Sequence, residues 1–567
     1  MSLFSSLQQA SNTLNAAQIG LQVTGNNIAN VNTPDYLRQR VIYTPAQVQV
    51  QGNLRLGMGV QVEAIVQMTD KFLEERLRSS RSDLSNGETQ EYTYLQLEAL
   101  VGELSDTDIS SSLNNFFGSI NDILNQPEDL GVRNLSILRG ETLAEDVSRL
   151  YQRVRSVYDD NNDRIRNAAK DINGLVNDIA DLNEKIVRLE AGSTIKSDAV
   201  GLRDQRNRKL TELSEIVGIR TVEQDNGSTS VFVGGEYLVL EGIARNVFAD
   251  EQTGEGLPTV DIKIEAFDSP LRTDSGKLAG LITSRDAILG EFLQDLDSFA
   301  QTLSFEFNQV FASGQGLSGY RSMEAEFDMD ANLIHRPLDQ VGLANTPENG
   351  SLQVKILNSQ TGLTHTHDIA IRLNGTSDDT TLVSFSESLN AIDGISSSVG
   401  LDGRLMIEAD SPNVEFAFAG DNSGVLASLG LGTFFTGTGA LNMGIHSAVK
   451  GDPSKFAASQ SGIGADTANA EKLAAFLDSP LPTRDGSSLG SIYQELVGGV
   501  AQAGTVARSV AEGFRVFKET LEGQKMGISG VNLDEESVRM ITMQRQFQAA
   551  SRMISTLDEL LEILVNI

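Results

Sequence analysis

Few residues in this chain are of a type that could do chemistry. His335, His365, His367 and His446 are the only histidines in 567 residues, and there is no cysteine. His365 and His367 stand two apart on a segment that alternates like a strand, so both rings would face one side with Asp368 nearby. That spacing could hold a metal at a sheet surface. A pair of solvated residues is the plainer reading, and no metal ligand is assigned. Asp328-Met-Asp330-Ala-Asn332 imitates the opening of a calcium loop with Asp339 at the twelfth position, but Leu333 stands where the turn demands glycine. Gly57-Met-Gly59 lacks the third glycine and the helix cap of a dinucleotide loop. Nucleophile-elbow, Walker and His-Glu-x-x-His motifs do not occur. No pair of carboxylates has a context that singles it out. The expectation is a protein without catalytic residues, metal or cofactor.

Composition narrows the class further. Acidic residues outnumber basic ones 77 to 44, for a net charge of −33. This argues against nucleic-acid binding, which needs clustered Lys and Arg, and against docking on an anionic membrane face. An apolar content of 40% is enough for packed cores. No run of about 20 apolar residues is present, so no membrane insertion is expected. Residues 1–34 carry no charge at all, unlike the basic n-region of a cleaved signal peptide.

The two chain ends carry matching apolar stripes. Leu7, Leu14, Leu21 and Ile28 recur every seven residues, with Ala10, Ala17 and Thr24 three further on in each heptad. This predicts a helix with a thin seam that packs closely against a neighbour and ends at Asn32-Thr33-Pro34. Residues 531–567 contain neither Gly nor Pro, and Met540, Met543, Phe547, Ala550, Ile554, Leu557, Leu561 and Leu564 alternate spacings of three and four. Asn532 reads as the N-cap of that helix with Glu535 as its reciprocal partner, and Asp534 and Glu536 suit the positive end of its dipole. Each seam is too thin to stand alone, which favours pairing of the ends with each other and with other copies.

Between the ends, residues 37–66 read as a hairpin, and helical periodicity covers 70–104, 111–125, 143–189, 199–217 and 276–312. The longest of these runs through Leu143, Val147, Leu150, Val154 and Val157 to Ile165 and beyond, with an apparent stutter near Asn161–Asn162. Strand signals fill 219–270. The segment 321–450 has six basic against sixteen acidic residues and reads as a β domain inserted between attachment points near Ala312 and Phe456. From about 466 the chain is helical again, broken at 478–488 and 523–531. The expected fold is α+β and multidomain: a discontinuous helical frame with terminal coiled-coil helices and long central helices, plus β-rich inserted domains. The domains would be 1–45 with 530–567 as a rod segment, 46–320 with 451–529 as a helical domain including a small β insert at 219–270, and 321–450 as an outer β-rich domain.

The segment Asn26-Asn27-Ile-Ala29-Asn30-Val-Asn-Thr33-Pro34-Asp-Tyr36-Leu-Arg38-Gln39 resembles the N-terminal signature of the bacterial flagellar rod, hook and hook-associated proteins. Ser529-Gly-Val-Asn532-Leu-Asp534-Glu535-Glu536, Gln544-Arg-Gln-Phe-Gln-Ala-Ala550 and Thr556-Leu-Asp-Glu-Leu560 are similar to the C-terminal part of the hook-associated branch. So are Leu202-Arg-Asp-Gln-Arg206 and Ser275-Gly-Lys-Leu-Ala-Gly-Leu281 in the middle. Asp35 replaces the glycine that most members carry after the proline.

The resemblance implies a structural adaptor that assembles as a ring of copies on the distal hook and joins hook to filament. It implies as partners the hook protein, a second junction protein (hook-associated protein 3) and a dedicated cytoplasmic export chaperone. It also implies an extracellular flagellar location, reached by type III export without a cleaved signal peptide. Two rivals remain open at this stage. One is a secreted metal-binding or enzymatic surface protein using the β insert; the other is a hook-type subunit that polymerises without limit.

Overall fold

In the computed structural model the described residues are 3–33, 36–51, 54–102, 108–191, 199–253, 256–464 and 466–565, and the fold is α+β and multidomain. Pro34 lies outside the described residues. The chain forms two compact units, one of residues 1–93, 160–285 and 505–567 and one of 94–159 and 286–504. This partition follows contacts, whereas the division read from the sequence followed element type.

The first unit contains both chain ends. The N-terminal helix is Leu3–Ala29 and the C-terminal helix is Leu533–Val565. An antiparallel hairpin of Gln39–Pro45 and Val60–Gln67 follows the first helix, with a register shift at Ile42/Tyr43. The rest is built on the second half of a helix spanning Leu130–Glu190, on Val200–Ile216 and on two antiparallel sheets between 220 and 270. Ile165, Ile172, Val176, Ile179, Leu213, Val231, Val239 and Ile264 fill the core between them. Strands here alternate apolar and polar because one face is covered by helices and the other meets water.

The Leu130–Glu190 helix has 61 residues, about 90 Å at 1.5 Å per residue and longer than the periodicity indicated. Its expected stutter is absent. Tyr158 and Asn161 are buried where an apolar reading skips from Val157 to Ile165, so the positions 154, 158, 161 and 165 continue a regular 3.6-residue period. A buried asparagine is invisible to an apolar pattern. The neighbouring Asn162 is held by Pro258 O at 2.9 Å and accepts from Val260 N at 3.2 Å.

The second unit has an aromatic centre. Phe116, Phe307, Phe311, Phe434, Phe435 and Phe456 are each at most 1% exposed and meet at centroid distances of 4.9–6.1 Å. Above it, strands from 322–324, 350–358, 363–371, 395–399, 405–409 and 414–419 form two three-stranded sheets around a separate core that includes Leu352, Val354, Phe385, Ile407 and Phe416. Phe434 and Phe435 belong to the range read as an insert, yet pack in the aromatic centre.

Two helix boundaries differ from the sequence reading. The helix expected over 276–312 is interrupted by a π-helical turn at Ser284–Gly290, where Arg285 turns inward to Val260 O and Asp261. The break expected at 523–531 shrinks to 530–532, because Leu489–Ser529 is one continuous helix. Leu521 packs on Leu73 and Leu77, and Lys525 pairs with Glu74 at 3.0 Å, which holds the last turns despite Gly523 and Gly527.

Candidate assembly site at the paired chain ends

Small side chains let the N-terminal helix come close to its neighbours. Ser5, Ala10, Ala16, Ala17, Gly20, Val23, Thr24 and Asn27 are its buried positions, while Leu7, Leu14, Leu21 and Ile28 are half-buried around them. The helix packs against the C-terminal helix and against the hairpin 39–67. At Gly20 a Cβ atom would stand 2.8 Å from both Met543 Sδ and Tyr43 Oη, so the helix meets the C-terminal helix and the hairpin here without room for a larger side chain. Further along, Asn12 Nδ2 donates to Met58 O at 2.8 Å, and the turn at Gly59, with φ of +83°, lies over Gln9. A positive φ and a close backbone approach are both costly for any residue but glycine.

On the C-terminal helix, Ala550 and Leu557 are buried, and Met540, Met543, Phe547, Ile554 and Leu561 are half-buried along the same stripe. The side chain of Leu564 lies outside the described residues. A second apolar stripe faces away from this pairing: Val538, Ile541, Met553, Leu560 and Ile563 are 44–65% exposed.

The family-like motifs of the two ends meet in one polar cluster. Asn27 Nδ2 donates to Glu536 Oε2 at 3.0 Å and to Gln39 O at 2.9 Å. Its Oδ1 accepts from Gln39 N at 2.9 Å and Tyr36 Oη at 3.0 Å, so the amide is fully used. Arg38 Nε donates to Glu536 Oε1 at 2.9 Å and Nη2 to Glu535 Oε2 at 2.8 Å, while Arg38 N donates to Ser529 O at 3.1 Å. Burial works against the Arg38 charge, but the bonds to Glu535 and Glu536 hold its pKa above the usual value. Burial, with the Asp204 and Glu536 carboxylates adding to it, pushes Tyr36 up to about 12, which keeps its hydroxyl a donor.

Asn532 caps the C-terminal helix by accepting from Asp534 N at 2.9 Å and Glu535 N at 3.4 Å. Glu535 does not reach back to complete the capping box; its carboxylate takes Arg38 instead. A charge-assisted bond to a guanidinium outcompetes one to a backbone amide. Asn30 donates to Asn26 O and accepts from Thr33 Oγ1, closing the first helix, while Ala29 is exposed. The sequence showed both motifs, Ser529 included, but neither the bond of Arg38 N to Ser529 O nor the meeting of Gly20 and Tyr43 with Met543.

The residues considered for chemistry lie apart from this cluster. His365 and His367 pair with Ile356 and Val354 on a sheet-edge strand, on the same face as Ile369 and Ile371. His335 is exposed, and His446 caps a short helix through Nδ1, with burial lowering its pKa. The Asp330 carboxylate accepts from Asn332 N and Nδ2, and Leu333 packs on the insert core. Among the described residues no three His, Asp or Glu side chains are grouped to hold a metal.

Comparison with known proteins supports a single family. Residues 94–327 match the family described as flagellar hook-associated protein FlgK helical domain. Residues 524–567 match the flagellar basal body rod FlgEFG protein C-terminal family, and 7–36 the flagella basal body rod protein family. The chain is 26% identical to flagellar hook-associated protein 1 of Escherichia coli, over 99% of each chain. It is 24% identical to the protein of the same name from Bacillus subtilis, over 100% of this chain and 98% of that one. The solved hook junction protein FlgK of Burkholderia pseudomallei shares the fold at a TM-score of 0.50 and 16% identity, covering 80% of this chain and all of that one.

Proposed function

The chain belongs to the flagellar hook-associated protein 1 family, a structural part of the bacterial flagellum at the junction of hook and filament, and from that premise we propose how its ends make the joint. Copies assemble as a ring on the distal hook through the outward stripe of the C-terminal helix. The paired terminal helices form the inner wall of the ring. The observation that carries this reading is that pairing within one copy leaves Val538, Ile541, Met553, Leu560 and Ile563 uncovered along one face. Apolar surface of that extent on a helix calls for a partner.

The ring contacts the hook protein on one side and hook-associated protein 3 on the other. Before export, the same stripe is held by a dedicated cytoplasmic chaperone, and the subunit leaves the cell through the flagellar export channel. The uncharged first 34 residues suit such a route. The test is complementation of a deletion strain. Hooks without filaments in the null, restored by the native chain and not by one with charged residues on the outward stripe, is the expected result. Normal filaments with the altered stripe would overturn the assignment of assembly to that face.

A further inference from the structure

Beside the start of the helix Lys71–Val101, the helix Val200–Ile216 and the strand Arg220–Glu223 lies a cavity of about 380 Å³. Its walls include Arg78 and both arginines of the Leu202-Arg-Asp-Gln-Arg206 motif, for which the terminal cluster has no use. Arg203 is paired with carboxylates: it forms a two-pronged pair with Glu190 at 2.9 and 2.7 Å and a third bond to Glu223, which Lys71 also reaches. Glu74 is engaged by Lys525, and Glu75 is exposed.

Arg206 and Arg78 close no ion pair among the described residues, although Glu223 and Glu190 act on Arg206 and Glu74 and Glu75 on Arg78 at longer range. Arg206 is 3% exposed, its Nη1 donates to Asn183 Oδ1 at 2.9 Å and Gly227 O at 2.8 Å, and its Nε has no partner. Arg78 is 9% exposed and donates from Nη2 to Thr221 Oγ1 at 3.1 Å. Burial lowers the pKa of both, that of Arg206 to about 10 with Arg203 adding repulsion. Those carboxylates attract both groups without bonding to either, so two desolvated guanidinium groups on one cavity keep donors that a directly bound anion would fill.

We propose that this cavity binds a small tetrahedral oxyanion, phosphate or sulfate, with Arg206 and Arg78 as charged donors and the Thr221 hydroxyl and Asn207 amide as neutral ones. A guanidinium presents a planar fork of N–H groups that matches such oxygens. The bound anion joins the two helices and the strand that surround it. It thereby stiffens the support of the hairpin, whose Gln67 lines the same cavity and bonds to Val200 O and Asp204.

The experiment is calorimetric titration of the full chain with inorganic phosphate in chloride buffer at constant ionic strength. Saturable binding at one site per chain is expected, with sulfate competing and glutamate not. Arg78→Gln and Arg206→Gln should each weaken it roughly tenfold, and Arg404→Gln, in the second unit, should leave it unchanged. Hydrogen exchange of the native chain with and without phosphate needs no variant, and protection should rise at 71–78, 203–210 and 220–223. Absence of saturable binding, equal binding by both variants, equal binding of glutamate, or protection elsewhere would each overturn the proposal.

Discussion

Asn27 and Glu536, 509 residues apart in the chain, are joined by a hydrogen bond of 3.0 Å, and each is only 1% exposed. A buried carboxylate persists only when its lone pairs are used, and here Asn27 and Arg38 use them. The bond is therefore a lock between the two ends that also fixes the exit of the chain at Gln39. Replacing Glu536 with Ala leaves Asn27 and Arg38 short of an acceptor. Because Arg38 keeps Glu535, the expected loss is about 2 kcal/mol in local stability. Hydrogen exchange should accelerate in 3–29 and 533–565 while the core around Ile165 and Leu213 is unaffected. Unchanged exchange at both ends would show that the lock contributes nothing.

The C-terminal helix separates two roles by face. Leu557 is 8% exposed within the pairing and Ile563 is 58% exposed outside it. Leu557→Lys should free the ends of the single subunit, read as faster proteolysis of both termini. Ile563→Lys should leave the subunit intact but unable to hold its place on the hook. If both variants behave alike in proteolysis and in motility, the two faces are not distinct.

An insert leaving and re-entering a frame is often removable, but residues 321–450 do not end where the insert core ends. Phe434 stacks on Phe116 and packs at a tilt on Phe307, and Phe435 meets both edge-on in the aromatic centre. Deleting 321–450 should therefore collapse the second unit. Phe434→Ala alone should cost about 3–5 kcal/mol, measurable as a lower urea midpoint. A shortened protein lacking 321–450 with native-like unfolding would refute this.

Asp204 gives the first unit a pH dependence near neutrality. Burial raises its carboxyl to about 7 from an ordinary 3.8, with only Arg208 opposing, and Gln67 donates to it. A raised folded pKa means its stabilising contribution is complete below about pH 4 and is lost as pH rises through 7. Asp204→Asn keeps a partner for Gln67 without the charge. Its urea midpoint should exceed that of the native chain at pH 8, with the gap closing by pH 4. Parallel midpoints across that range would count against a half-buried Asp204 that is protonated below neutrality.

The helical seams were legible because 3.6-residue periodicity is local: Met540, Met543, Phe547 and Ala550 declare a face without any knowledge of what covers it. The same logic failed at Asn161, where the periodic position is polar, and at Gly523 and Gly527, where packing of Leu521 and the Lys525–Glu74 pair carry the helix through. Phe434 and Phe435 were assigned to the insert because composition cannot say which of two adjacent cores an apolar residue joins.

By itself the sequence determined the absence of cysteine and known catalytic motifs, the fold class, the two terminal stripes and the motifs that resemble the flagellar axial family. Only the tertiary structure decided that Asn27 meets Glu536, that Gly20 faces Met543 and Tyr43, and that Arg206 and Arg78 share a cavity. The reason is physical. Periodicity and capping depend on neighbours within a few residues, whereas a contact across hundreds of residues exists only once the intervening chain has folded and brought its partners within bonding distance.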